Sequence, residues 1–141
     1  MIENIILKNK ILSIIIRSSY RSEGIKFFTP NESSLQLGYM SRPEGYEIKP
    51  HVHRKVVRKI HFTSEVLFIK SGKVKVDFYD EDNNCFESRI LIKGDVIFLA
   101  FGGHSFKMLE PTEMIEVKQG PYLSADDKIF LSQTIDEKNK V

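Results

Sequence analysis

Polar and apolar residues alternate cleanly from Lys73 to Tyr79: Val74, Val76 and Phe78 fall on one side, Lys73, Lys75, Asp77 and Tyr79 on the other. A period of two marks a half-buried antiparallel strand. Asp80–Cys85 is a polar turn and Phe86–Lys93 resumes the strand, so the two predict a hairpin. Gly94–Asp95 turns the chain into Val96–Ala100, a continuous apolar run of the kind expected in a strand buried on both faces. His104–Leu109 and Met114–Lys118 follow, joined by Glu110-Pro111-Thr112. In the last of these, Glu116 and Lys118 alternate with Ile115 and Val117, and the charged pair is expected to face outward. Upstream, Ile11–Ile16, Ile25–Phe28, Leu35–Tyr39 and Glu47–Ile48 are shorter candidates, and Val66–Ile69 continues from Glu65.

About ten short strands broken by Gly, Pro, Asn and Asp predict an all-β protein, an antiparallel sandwich or barrel. No strand pair is separated by an amphipathic helix, which argues against a parallel α/β fold. Neither a repeat nor a linker divides the chain. The expected organisation is a barrel with N-terminal strands over residues 1–125 and a polar C-terminal tail over 126–141, where Lys128–Thr134 could add an edge strand or a short helix.

Composition narrows the function. With 141 residues, 41% hydrophobic and 28% charged, the chain is an ordinary single globular domain. A net charge of +2, with the basic residues scattered, argues against a nucleic-acid or membrane-surface partner. The lone Cys85 excludes an internal disulfide and fits a reducing compartment. Lys8, Asn9 and Lys10 interrupt the apolar clusters of Met1–Ile16, so neither a signal peptide nor a membrane span is expected, and a cytoplasmic location is. A small barrel leaves strand edges to cover, hence an expected homodimer, with Ile11–Ile16 as the segment that meets the partner.

Four residues carry candidate metal chemistry. His51 and His53 share a face if their segment is extended, Glu65 opens a strand, and His104 follows the Gly102–Gly103 turn. Imidazoles plus a carboxylate, with coordination positions left open, suit one divalent ion such as Fe, Mn, Ni or Zn. His61, four residues before Glu65, competes with it as ligand or serves as an acid/base group; Tyr46 is a second candidate base. Phe106 shares a face with His104 and would form an apolar wall for a substrate. Arg42 and Arg54 offer guanidinium forks for a carboxylate or phosphate.

These residues also carry a family resemblance. Gly45, five residues, His51-x-His53, then Glu65, six residues and Gly72 is similar to the first cupin signature. Gly94-Asp95-Val96-Ile97-Phe98-Leu99, followed by Phe101-Gly102-Gly103-His104, approaches the second. Two departures stand out: the eleven residues Arg54–Ser64 between the histidine pair and the glutamate, and Ala100 where a proline is customary, with a shortened turn before His104. The resemblance implies a jelly-roll barrel holding one metal ion on His51, His53, Glu65 and His104. EMIEVKQGPY further resembles small cupins of bacterial polysaccharide and sugar biosynthesis, which raises the expectation of a sugar or nucleotide-sugar ligand. The implied activity is isomerase- or epimerase-like. The alternatives are a dioxygenase-like enzyme and a non-catalytic small-molecule binder.

Overall fold

The computed structural model describes residues 1–122 and 128–131. It contains ten strands and, among the described residues, no helix. They are β1 (Ile2–Leu7), β2 (Lys10–Ile16), β3 (Gly24–Phe27), β4 (Gly38–Ser41), β5 (Glu65–Ser71), β6 (Lys73–Tyr79), β7 (Cys85–Ile92), β8 (Val96–Leu99), β9 (Gly103–Met108) and β10 (Glu113–Lys118). Every pairing is antiparallel. Three sheets result: a five-stranded one in the order β1-β2-β8-β5-β10, a three-stranded one in the order β7-β6-β9, and the β3-β4 pair.

The core lies between the five- and three-stranded sheets. Ile5, Leu12, Ile15, Leu67, Ile69, Ile97 and Leu99 from the first pack with Val74, Val76, Phe78 and Leu91 from the second. The alternation of β6 thus decides its orientation: Val74, Val76 and Phe78 are all fully buried. A second cluster forms on the outer face of the five-stranded sheet, where Ile14, Ile16 and Phe98 meet Leu37, with Tyr20, Phe28 and Leu35 packed against them. Strand β8 therefore feeds both clusters, as its unbroken apolar sequence requires.

Several expectations need correction. The interruption of the apolar clusters in Met1–Ile16 is the turn of a tight hairpin, because Lys8 and Asn9 both take positive φ (49° and 63°) between the paired Leu7 and Lys10. Two consecutive left-handed residues give the turn whose twist matches that of the flanking strands. Within the chain, Ile11–Ile16 belongs to β2, which is hydrogen-bonded to β1 and β8 on its two edges, and residues 12–16 are buried in the chain's own core. Glu47–Ile48 forms no strand, and Leu35–Tyr39 yields one only from Gly38.

The facing of β10 is also the reverse of expectation. Ile115 pairs with Phe68 and Val117 with Val66 on the outer face, so Ile115 and Val117 stand 54% and 56% exposed. Glu116 and Lys118 pair with Leu67 and Glu65 on the side of the core. The sequence period separates the two faces, and only the neighbouring strand says which one is inward. The expected tail falls mainly on residues 123–127 and 132–141, outside the described residues, as does most of Lys128–Thr134. Among the described residues, no helix is long and apolar enough to cross a membrane.

Candidate functional site

Glu65 starts β5 with its side chain on the face of Leu67 and Ile69, the face that meets the three-stranded sheet. His104 sits opposite Phe78 in the β6–β9 register and so points back toward the five-stranded sheet. The two side chains meet across the gap: His104 Nε2 lies 3.4 Å from a Glu65 carboxylate oxygen. Glu65 is only 8% exposed. The His104 contact holds its carboxyl below the usual glutamate range; burial works the other way, and the Lys128 and Lys118 ammonium groups add to the lowering. On the far side of the ring, His104 Nδ1 is buried with no hydrogen-bond partner. Such an atom costs free energy unless a water, ion or ligand meets it.

Phe106 stands where the period predicts, its ring 5.5 Å from that of His104 and at 67° to it, half-buried against the core. The ligands expected from His51 and His53 are elsewhere. Their rings stack edge-to-face at 5.4 Å, His51 Nδ1 lies 2.9 Å from the Lys49 carbonyl oxygen, and both residues are exposed in a segment without secondary structure. Among the described residues, no three His, Cys, Asp or Glu side chains gather as a metal-binding group. The structure thus brings Glu65 to His104, and His51 to His53, but does not bring the two pairs together.

The other candidates are dispersed as well. His61 lines a cleft of about 240 Å³ with Ser33, Ser34, Lys59 and Phe62 over Phe98 and Ala100. Phe98 belongs to the outer cluster, so this cleft opens on the side of the sheet away from Glu65. The Arg42 guanidinium lies 4.5 Å from the centre of the Tyr46 ring, and both residues are exposed. Arg54 is exposed too.

Two residues that the sequence reading passed over hold the neighbourhood of Glu65 in place. Ser64 is buried; its hydroxyl donates to the Ala100 carbonyl at 3.1 Å, and its N–H donates to Gln119 Oε1 at 2.7 Å. The Gln119 amide nitrogen donates in turn to Ser34 Oγ at 3.1 Å, linking the ends of β5 and β10 to the loop before β4. The signal for Lys118 was present in its even spacing from Met114, but it becomes readable only once β10 is known to pair with β5. No family model matches the chain, and no curated protein or solved structure matches it either.

Proposed function

We propose that the chain is a jelly-roll protein of cupin type that binds one divalent metal ion between its sheets and acts on a small polar molecule, such as a sugar or nucleotide-sugar. The strand order supports the architecture. From β5 to β10 the chain passes repeatedly between two sheets, leaving β8-β5-β10 in one and β7-β6-β9 in the other, an alternation that favours a jelly roll.

The observation that carries the metal reading is the meeting of buried Glu65 with half-buried His104, whose Nε2 lies 3.4 Å from the carboxylate. An ionised carboxylate and an imidazole are donors suited to Fe(II), Mn(II), Ni(II) or Zn(II), so these two residues fit the ion. His51 and His53 would complete the set if their exposed segment docked beside β9, whose edge away from β6 has no strand partner among the described residues. Such an ion, when bound, supplies a positive charge that polarises a substrate carbonyl or hydroxyl oxygen. Phe106 offers an apolar wall next to His104, and the neighbours that hold the Glu65 carboxyl below the usual glutamate range favour the charged form that a cation meets.

A binding role without turnover is the second reading. It is favoured by the positions of the two candidate bases, His61 in the outer cleft and Tyr46 beneath Arg42. A dioxygenase-like activity is a third possibility, open to an Fe(II) ion at the same site. The deciding experiment is metal analysis of the purified protein with titration of the metal-free form by Mn(II), Fe(II), Ni(II) and Zn(II). About one ion per chain, lost in His104→Ala, is expected. Absence of binding by every ion ends the proposal. Hydrogen exchange then tests the docking, since residues 46–53 should gain protection when the ion is added.

A further inference from the structure

We infer that residues 54–60 dock the protein on an anionic lipid surface, with four basic side chains among the headgroups and three aliphatic ones at the acyl boundary. The net charge of +2 is unevenly spread. The chain has 21 Lys and Arg and 19 Asp and Glu, yet between Glu47 and Glu65 stand Lys49, Arg54, Lys55, Arg58 and Lys59 and no acidic residue. Every residue from 40 to 63 is exposed, and none from 46 to 61 lies in a strand. Among the described residues none of these five cations makes an ion pair, whereas Lys70, Lys73, Lys75 and Arg89 on the strands do. Glu32 shares a cleft with Lys59 but forms no bridge to it.

The aliphatic residues decide which polyanion fits. Two basic pairs, Arg54–Lys55 and Arg58–Lys59, are separated by Val56–Val57 and closed by Ile60. Val56, Val57 and Ile60 stand 59%, 94% and 44% exposed, an apolar patch with a cationic rim, which marks a binding surface. Advancing about 100° per residue, as a helix does, gathers the four cations on one side and the three aliphatic side chains on the other. A bilayer surface serves both at once: its anionic headgroups meet the cations, whose long stems reach up to them, and its acyl chains receive the valines and the isoleucine. A single-stranded nucleic acid offers phosphates but calls for aromatic rings to stack on its bases, and residues 54–60 carry none. The contact asks nothing of His51, His53, Glu65 or His104, so it stands apart from the metal reading.

Co-sedimentation of the full chain with lipid vesicles tests this, in buffer without divalent ions so that a metal plays no part. Phosphatidylcholine vesicles with about 30% phosphatidylserine should retain the protein, and pure phosphatidylcholine vesicles should not. Raising the salt to about 0.5 M should release it. R54E/K55E and R58E/K59E should each weaken binding roughly tenfold or more. K93E/K107E makes the same change in net charge at two other exposed positions and should leave binding within about twofold. V56S/V57S keeps the charge and should still weaken binding roughly fivefold. The chain has no tryptophan, so Val57→Trp supplies a lone reporter whose emission should shift to the blue on the mixed vesicles. No retention by the mixed vesicles, equal retention by both kinds, or an unshifted reporter would each overturn the inference. So would a loss in K93E/K107E as large as in R58E/K59E, unchanged binding in V56S/V57S, or tighter binding to DNA than to the mixed vesicles.

Discussion

Lys118 lies directly opposite Glu65 in the β5–β10 register, and so on the same inward face. The carboxylate is therefore held by His104 across the gap between the sheets and by the positive fields of Lys128 and Lys118. Any cation that binds there competes with charges the chain already supplies. Glu65→Ala and His104→Ala should each abolish metal retention while leaving the β-rich circular dichroism spectrum intact, because aliphatic and aromatic residues build the core. Lys118→Met should strengthen Mn(II) binding to the metal-free protein by roughly fivefold. Unchanged or weaker binding in that variant, measured by calorimetry, would contradict the electrostatic account.

Two glycines with similar backbone angles should respond very differently to substitution. Gly72 has φ +84°, and a Cβ there would stand 2.2 Å from the Pro111 carbonyl oxygen. Gly45 has φ +79° with nothing within 4 Å of the same atom. Gly45→Ala should cost only the left-handed backbone penalty, about 1–2 kcal/mol at most. Gly72→Ala must also push a backbone segment aside, and should cost about 3 kcal/mol or more. Urea unfolding of both variants tests the contrast; equal losses would show that the β5–β6 turn relaxes freely.

Acid should loosen the chain partly through Glu3. Its hydrogen bond to Arg17 holds its carboxyl below the ordinary value of 4.5, opposed by burial and assisted by Arg89. Because the folded value is the lower one, the unfolded chain takes up its proton first as the pH falls. The stabilisation is thus complete above the ordinary value and is lost as the pH drops through the folded one. Glu3→Gln should lower stability at pH 7 and flatten its pH dependence below about pH 5, as read from unfolding free energies. Parallel curves for the two proteins would show that the contact carries no net energy.

Phe78 tests the core. It is fully buried between the two larger sheets, opposite His104. Phe78→Ala should cost about 3–5 kcal/mol by urea unfolding, the usual loss for an aromatic side chain with no room to collapse into. A loss under about 1 kcal/mol would mean the two sheets do not close on this side chain.

The β6–β7 hairpin was legible in the sequence because both of its signals are local. Val74, Val76 and Phe78 alternate, and Asp80 accepts hydrogen bonds from the backbone N–H groups of Asp82 and Asn84, as a polar turn residue should. Strand β1 was not read, since the Lys8–Asn9 turn carries no glycine to announce its positive φ values. The facing of β10 and the position of His51 and His53 depend on non-local neighbours. A histidine pair spaced by two shares a face only within a strand, and this segment is not one. That Glu65 and His104 share the space between the sheets was legible because each adjoins a core strand that leaves its side chain an inward direction.

Strand β2 pairs with β8 from Ser13↔Leu99 to Ile16↔Val96, and the Ser13 hydroxyl donates to the Phe98 carbonyl across a sequence separation of 85 residues. The β1–β2 hairpin is thus synthesised well before the strand with which it must pair. At about 5–20 residues per second, roughly 4–17 s pass between the synthesis of Ile14–Ile16 and that of β8. During that interval these isoleucines, which end up buried, have no native neighbour on their far edge. Rapid folding of the N-terminal part cannot shelter them, because the central strand of their own sheet does not yet exist. Synthesis rate and chaperone supply should therefore govern the yield of this protein more than its final stability does.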